Sequence, residues 1–212
     1  MALEATHIRF ALDLKAKYKI QNIKKYVSGS IYPDSRYVTK IERELTHPED
    51  FLDSKFFQSD DFRKGWHAHL LCDKIQWKVT KELLPEVFKG QTGQGSQVWV
   101  RHSAIKILQN IYDIKKFPIT EYLGCLDYVE NPNGEDIKTL KKYNTMFKKM
   151  YSNSETVSIE REFDIWKFFG ISDVLALQVK ERVMGYSANK SMMRVILKIY
   201  PVSLKRALAA LP

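Results

Sequence analysis

Apolar residues recur along this chain at three- and four-residue intervals, and strict alternation is nowhere sustained over a useful length. That periodicity predicts an all-α protein. A first helix is expected from Leu3 to about Lys17, where Leu3, Ile8, Phe10, Ala11 and Leu14 follow one period and place His7 beside the apolar stripe. A short second helix covers Ile20 to Val27, with Lys24 and Lys25 outward and Ser28-Gly29-Ser30 as its stop. Tyr32 is pushed towards extended backbone by the proline that follows, which puts Pro33-Asp34 on a turn or at a helix start. Pro48 ends any helix at His47. The dominant element is a buried helix from about Asp61 to Phe88, with Trp66, Leu70, Ile75 and Trp77 as its apolar members and Pro85 near its end.

The remainder reads as covering helices. Gly90 to Gly95 forms a loop, and Ser96 caps a helix that carries Val98, Trp99, Ile105, Leu108 and Ile111 on its apolar positions. The chain is helical again beyond Phe117. The turn Asn131-Pro132-Asn133-Gly134 precedes a lysine-rich helix over Glu135 to Tyr151, and a further helix spans Ser158 to Phe169 and stops at Gly170. Ser172 caps a helix to about Met184, and the basic, apolar stretch from Lys190 to Leu211 is interrupted at Pro201. The architecture expected is a single-domain helical bundle built around the helix at about 61–88, its chemistry confined to residues 3–77.

Composition sharpens this only in places. A chain of 212 residues buries one good core. The formal charge of +9 favours anionic partners: phosphate compounds, nucleic acid and acidic lipid headgroups all qualify. The basic excess is spread evenly, apart from an acidic run from Glu42 to Asp61, which includes Asp53. The lysines of the 135–151 helix read first as a solvated face, and more sharply as a nucleic-acid patch. No transmembrane segment and no signal peptide is visible, and the two cysteines, Cys72 and Cys125, suit reduced thiols in the cytoplasm.

The chemistry gathers on Gly65-Trp66-His67-Ala68-His69-Leu70-Leu71-Cys72-Asp73. His69 and Asp73 are four residues apart, which on a helix sets them on one face with Cβ atoms roughly 5–6 Å apart. One ion, or two sharing the carboxylate, is within reach of both. His67 points about 200° away from His69 and packs or hydrogen-bonds elsewhere. Upstream stand His7, Asp34 and His47. Each also has a plainer reading: an ion pair for His69 and Asp73, a helix cap for Asp34, a surface ring for His47. His102 reads equally as a further ligand or as a core or surface histidine. Imidazole with carboxylate suits zinc, iron, nickel or manganese.

The order of these groups, with Gly29 leading to Pro33-Asp34, then His47, then Gly65 leading to His69 and Asp73, resembles the zinc-dependent phospholipase C and P1-nuclease superfamily. The resemblance covers roughly Leu3 to Trp77. It implies an all-helical fold and hydrolysis of a phosphodiester or phosphomonoester. It also implies that His47, His69 and Asp73 hold one ion and that Asp73 bridges to a second held by His7. Asp34 would be a further carboxylate, binding metal or taking a proton from the attacking water. The family's third metal uses an N-terminal tryptophan amine, another histidine and a His-x-x-x-Glu pair. None is evident here, and His102 is followed at i+4 by Lys106, so one or two ions are expected. Two other readings stand beside this one. An HD-type phosphohydrolase would need an adjacent His-Asp pair, which the chain lacks. A catalytically silent helical module would keep the cluster as a structural metal site.

Overall fold

The helix at the centre of the bundle, α5, runs over Asp61–Leu83 in a computed structural model that describes residues 3–52, 59–153 and 158–212. Asp53 of the acidic run lies outside the described residues. Before α5 come α1 (Glu4–Leu14), α2 (Ile23–Ile31), a 3-10 turn over Tyr32–Ser35, α3 (Arg36–Thr39) and α4 (Arg43–Thr46). After it come α6 (Gln97–Lys116), a 3-10 stretch over Ile119–Asp127, α7 (Ile137–Tyr151), α8 (Ile159–Phe168), α9 (Asp173–Ala188) and α10 (Lys190–Ala210). The fold is all-α, with no strand among the described residues. α2 lies most closely along α5, α1 and α10 flank it, and α6 joins α1 to α9. The main apolar cluster reaches from Ala5 to Ile199 and draws on both halves of the chain. No helix among the described residues is long and apolar enough to cross a membrane.

Several boundaries differ from the sequence reading for identifiable reasons. α5 stops at Leu83, not Phe88, because Pro85 has no N–H to continue the ladder and drives Leu84 out of helical geometry; residues 85–88 form a separate 3-10 turn. α2 passes through Ser28-Gly29-Ser30 instead of ending there. A Cβ on Gly29 would lie 2.0 Å from the Phe62 carbonyl oxygen, and one on Gly65 would lie 2.0 Å from that of Tyr26. The two glycines thus let α2 and α5 meet backbone to backbone, and this packing outweighs the weak helix propensity of glycine and serine. α9 likewise continues beyond Met184 to Ala188. α10 is unbroken at Pro201, since Ile196, Ile199, Tyr200, Ser203 and Ala207 anchor one face while the proline sits on the solvent side. Trp77, counted above among the buried members of the central helix, is 44% exposed, with its ring edge-on to Phe88.

The position of α1 depends on residues far along the chain. Leu3 precedes the helix without a capping side chain, and the Asn110 carboxamide oxygen of α6 accepts from the N–H groups of Ala5 (3.0 Å) and Thr6 (3.3 Å) instead. The Asn110 amide in turn donates to Glu162 Oε1 (2.8 Å) and Tyr151 Oη (3.1 Å). One turn further on, Asp113 accepts from the Thr6 hydroxyl at 2.7 Å and from the Arg9 guanidinium at 2.5 Å.

Glu162 makes this network sensitive to pH. Burial pushes its carboxyl from 4.5 up to about 7. Between those values the folded chain holds a proton that the unfolded chain has released. The stability from this group is therefore complete below about 4.5 and is lost as pH rises through about 7. Glu162→Gln is expected to remove that decline and to gain about 2–3 kcal/mol over the parent at about pH 8. Urea midpoints for both proteins at about pH 5 and pH 8 test this; parallel pH curves would refute it.

Candidate metal centre

Four elements bring five side chains to one point between α1, α2 and α5. His7 comes from the middle of α1, Asp34 from the 3-10 turn after α2, His47 from the end of α4, and His69 and Asp73 from successive turns of α5. All five are buried, His69 completely. The distances are His7 Nε2 to Asp73 Oδ1 3.4 Å, His69 Nε2 to Asp73 Oδ2 3.7 Å, His47 Nε2 to Asp73 Oδ2 3.8 Å, His7 Nε2 to Asp34 Oδ2 3.9 Å, and His69 Nε2 to Asp34 Oδ2 4.0 Å. The His7 ring stacks on that of His69, with centroids 3.6 Å apart. Two overlapping sets, His7-Asp34-His69 and His47-His69-Asp73, each bring three ligand atoms within 4.8 Å of one another.

Hydrogen bonds at the back of the rings fix which nitrogen faces inward. His69 Nδ1–H donates to the Ser30 carbonyl at 2.8 Å, which leaves the lone pair on Nε2. The Thr46 hydroxyl gives its proton to the Arg43 carbonyl at 3.3 Å and accepts from His47 Nδ1–H at 2.9 Å, again freeing Nε2. Burial pushes His47 down to about 4 and His69 well below the usual imidazole range, so both offer neutral lone pairs at pH 7. The two carboxylates are driven apart. Burial, then the neighbouring Asp73, raises Asp34. Burial opposes ionisation of Asp73 as well, yet its carboxyl is held well below the usual range, with His7 and His69 among the groups that hold it there.

The residues fit a metal ion. The Nε2 atoms of His7, His47 and His69 and Asp34 Oδ1 are buried with no hydrogen-bond partner among the described residues. Each orphan costs on the order of 1–3 kcal/mol unless something satisfies it. Separations of 3.4–4.0 Å are at or beyond the limit of a hydrogen bond but close to the ~3.3 Å between ligands of a tetrahedral ion with bonds of about 2.0–2.1 Å. The two oxygens of Asp73 look towards different imidazoles, Oδ1 to His7 and Oδ2 to His47 and His69, the disposition of a bridging carboxylate.

The other histidines stand apart. His67 is hydrogen-bonded to the Tyr18 hydroxyl on the opposite side of α5, and His102 turns towards Phe88, ring centroids 5.4 Å apart. Asp34 is not a helix cap, since no side-chain cap bond is made on its turn. It lines instead a cavity of about 630 Å³ whose wall includes Arg36 and Tyr37 of α3 and Trp99, Ser103 and Lys106 of α6. Burial lowers the pKa of the Lys106 amine, with Asp73, Asp34 and Glu4 pulling it back up, and burial raises the Glu4 carboxyl. Lys106 and Ser103 were not among the expected site residues. Their signal is the spacing Trp99, Ser103, Lys106, at i, i+4 and i+7, which places an aromatic, a hydroxyl and an amine on one helix face. Comparison with protein-family models, with curated proteins and with solved structures finds no match to this chain.

Proposed function

We propose that this chain is a metal-dependent phosphoric ester hydrolase, using its His/Asp cluster to hold one or two divalent transition-metal ions. The observation that carries this reading is the convergence of three buried, unpartnered imidazole nitrogens on two carboxylates beside an open cavity. The order of the ligand-bearing motifs adds support through its resemblance to the zinc-dependent phospholipase C and P1-nuclease superfamily. His47, His69 and Asp73 Oδ2 would hold one ion, and His7, Asp34 and Asp73 Oδ1 a second; zinc suits this donor set, and iron, nickel and manganese are the other candidates. A divalent ion in such a site supplies charge that polarises a phosphoryl oxygen and acidifies water. Asp73, ionised, balances that charge. Asp34, on the cavity wall, would take the proton released when water attacks phosphorus, through the carboxylate oxygen it does not give to the ion. The basic surface draws in the anionic substrate, and the cytoplasm suits the two buried, unpaired thiols.

The test is elemental mass spectrometry on untagged protein purified without chelator, followed by a screen of phosphomonoesters and phosphodiesters with the metal found. Roughly one to two ions per chain and turnover of a phosphate ester are expected. A protein that stays metal-free after reconstitution would sink the proposal, and a tightly bound ion with no hydrolysis would leave a structural metal site.

A further inference from the structure

The cavity beside Asp34 is lined by the carboxylates of Glu4, Asp34 and Glu42 and by cations, two of which, Lys106 and Arg36, make no contact ion pair among the described residues. Lys106 forms no hydrogen bond and no ion pair with any described residue, although it stands among carboxylates. Arg36 also has no acidic partner within 4.0 Å among the described residues; its guanidinium lies over the Tyr37 ring at 4.2 Å, and its Nε is buried without a hydrogen bond. The Ser103 hydroxyl, on the same face of α6 as Lys106, is buried and unpartnered too. A buried guanidinium N–H and a buried hydroxyl without partners cost stability unless a ligand meets them, and Lys106 adds a positive charge beside them. A ligand with anionic oxygens satisfies all three. Aromatic rings line the same cavity: Trp99 packs against Trp166 with centroids 5.3 Å apart, and Tyr37 against Phe169 at 5.3 Å.

We propose that this cavity is a pocket for the dianion of a phosphate monoester with an aromatic or otherwise flat apolar alcohol, its terminal oxygens held by Lys106, Arg36 and Ser103. The assignment rests on the metallohydrolase reading for what becomes of the ligand, and deepens it by choosing monoesters over diesters. Charge decides the choice. A monoester dianion matches two cations, whereas a diester carries one charge and replaces a terminal oxygen with a second alcohol that leaves Lys106 or Arg36 unmet. The aromatic wall takes the organic group by stacking, and a volume of about 630 Å³ is that of a small-molecule site.

Phosphonates test this without turnover. Calorimetric titrations of metal-loaded and metal-stripped protein would use benzylphosphonate, its monomethyl ester and methylphosphonate, in buffer alkaline enough to keep benzylphosphonate a dianion. Benzylphosphonate is expected to bind at least about tenfold more tightly than either of the others. Lys106→Met should abolish the preference for the dianion over its ester while leaving metal content unchanged, and Trp99→Ala should weaken benzylphosphonate but not methylphosphonate. Arg36→Gln and Ser103→Ala serve the same purpose if Lys106→Met does not fold. Equal affinity for dianion and ester in the parent protein, or a preference that survives Lys106→Met, overturns the pocket even if the ions are bound. A protein that takes no metal yet keeps the Lys106-dependent preference supports the pocket and overturns the hydrolase reading instead.

Discussion

Replacing His69 by alanine is expected to lower metal affinity more than about 100-fold, because it removes one of the three protein ligands of the ion placed with His47 and Asp73. The ring is completely buried, held by the Ser30 carbonyl behind and stacked on His7, so its Nε2 is set in place before any ion arrives. Thermal unfolding with and without metal reads the effect. At a metal concentration about 100 times the dissociation constant, binding stabilises the parent by about 2.7 kcal/mol, or roughly 5–10 °C for a domain of this size. His69→Ala should show almost none of that rise. His67→Ala is the contrast: it removes the partner of the Tyr18 hydroxyl and costs stability in the absence of metal, yet it should keep the metal-induced rise. Equal loss of the rise in both variants would place the ligands on the wrong face of α5.

Gly65→Ala is expected to destabilise the fold by about 3 kcal/mol or more, at the upper end for overpacking, because the obstructing atoms are backbone. The new methyl would fall 2.0 Å from the Tyr26 carbonyl oxygen and 3.0 Å from the Ser30 amide nitrogen. A flexible side chain could swing aside, but here the helices themselves must part. That separation moves the Ser30 carbonyl away from His69, whose Nδ1–H it accepts, and so reaches the metal centre without altering a ligand. The midpoint of thermal unfolding should drop by roughly 6–12 °C, and metal affinity should fall with it. Gly124→Ala, where a Cβ meets nothing within 4 Å, is the control. A Gly65→Ala protein as stable as the parent would mean that α2 and α5 are not in backbone contact.

Much of this arrangement is legible in the sequence because it depends on short-range spacing. His69 and Asp73 share a helix face by arithmetic alone, and the caps at Ser96 and Ser172 follow from local hydrogen bonding. Breakers were harder to read. Gly29 looks like a stop until the partner helix is in place, and Pro201 looks like an interruption until the buried face of α10 is known. In both, tertiary burial overrides a local preference. The cavity shows the same limit from the other side. Lys106 carries no signal of its own in the sequence, and the cavity it lines with Arg36 and the aromatic rings forms only when α3 and the segment around Phe169 dock against α6.

The Asn110 cap on α1 has a consequence for biosynthesis. It stands 105 positions beyond the Ala5 amide that it receives, and its own partners Tyr151 and Glu162 come later still. At roughly 5–20 residues per second, α1 leaves the ribosome about 5–20 s before its anchor is made. During that interval the segment carrying His7, Asp34, His47, His69 and Asp73 is complete, and α1 has α2 and α5 to pack on but not the acceptor for its first amides. If the cluster holds metal as proposed, an ion that enters before α6 is made meets an α1 whose N-terminal amides still lack their acceptor.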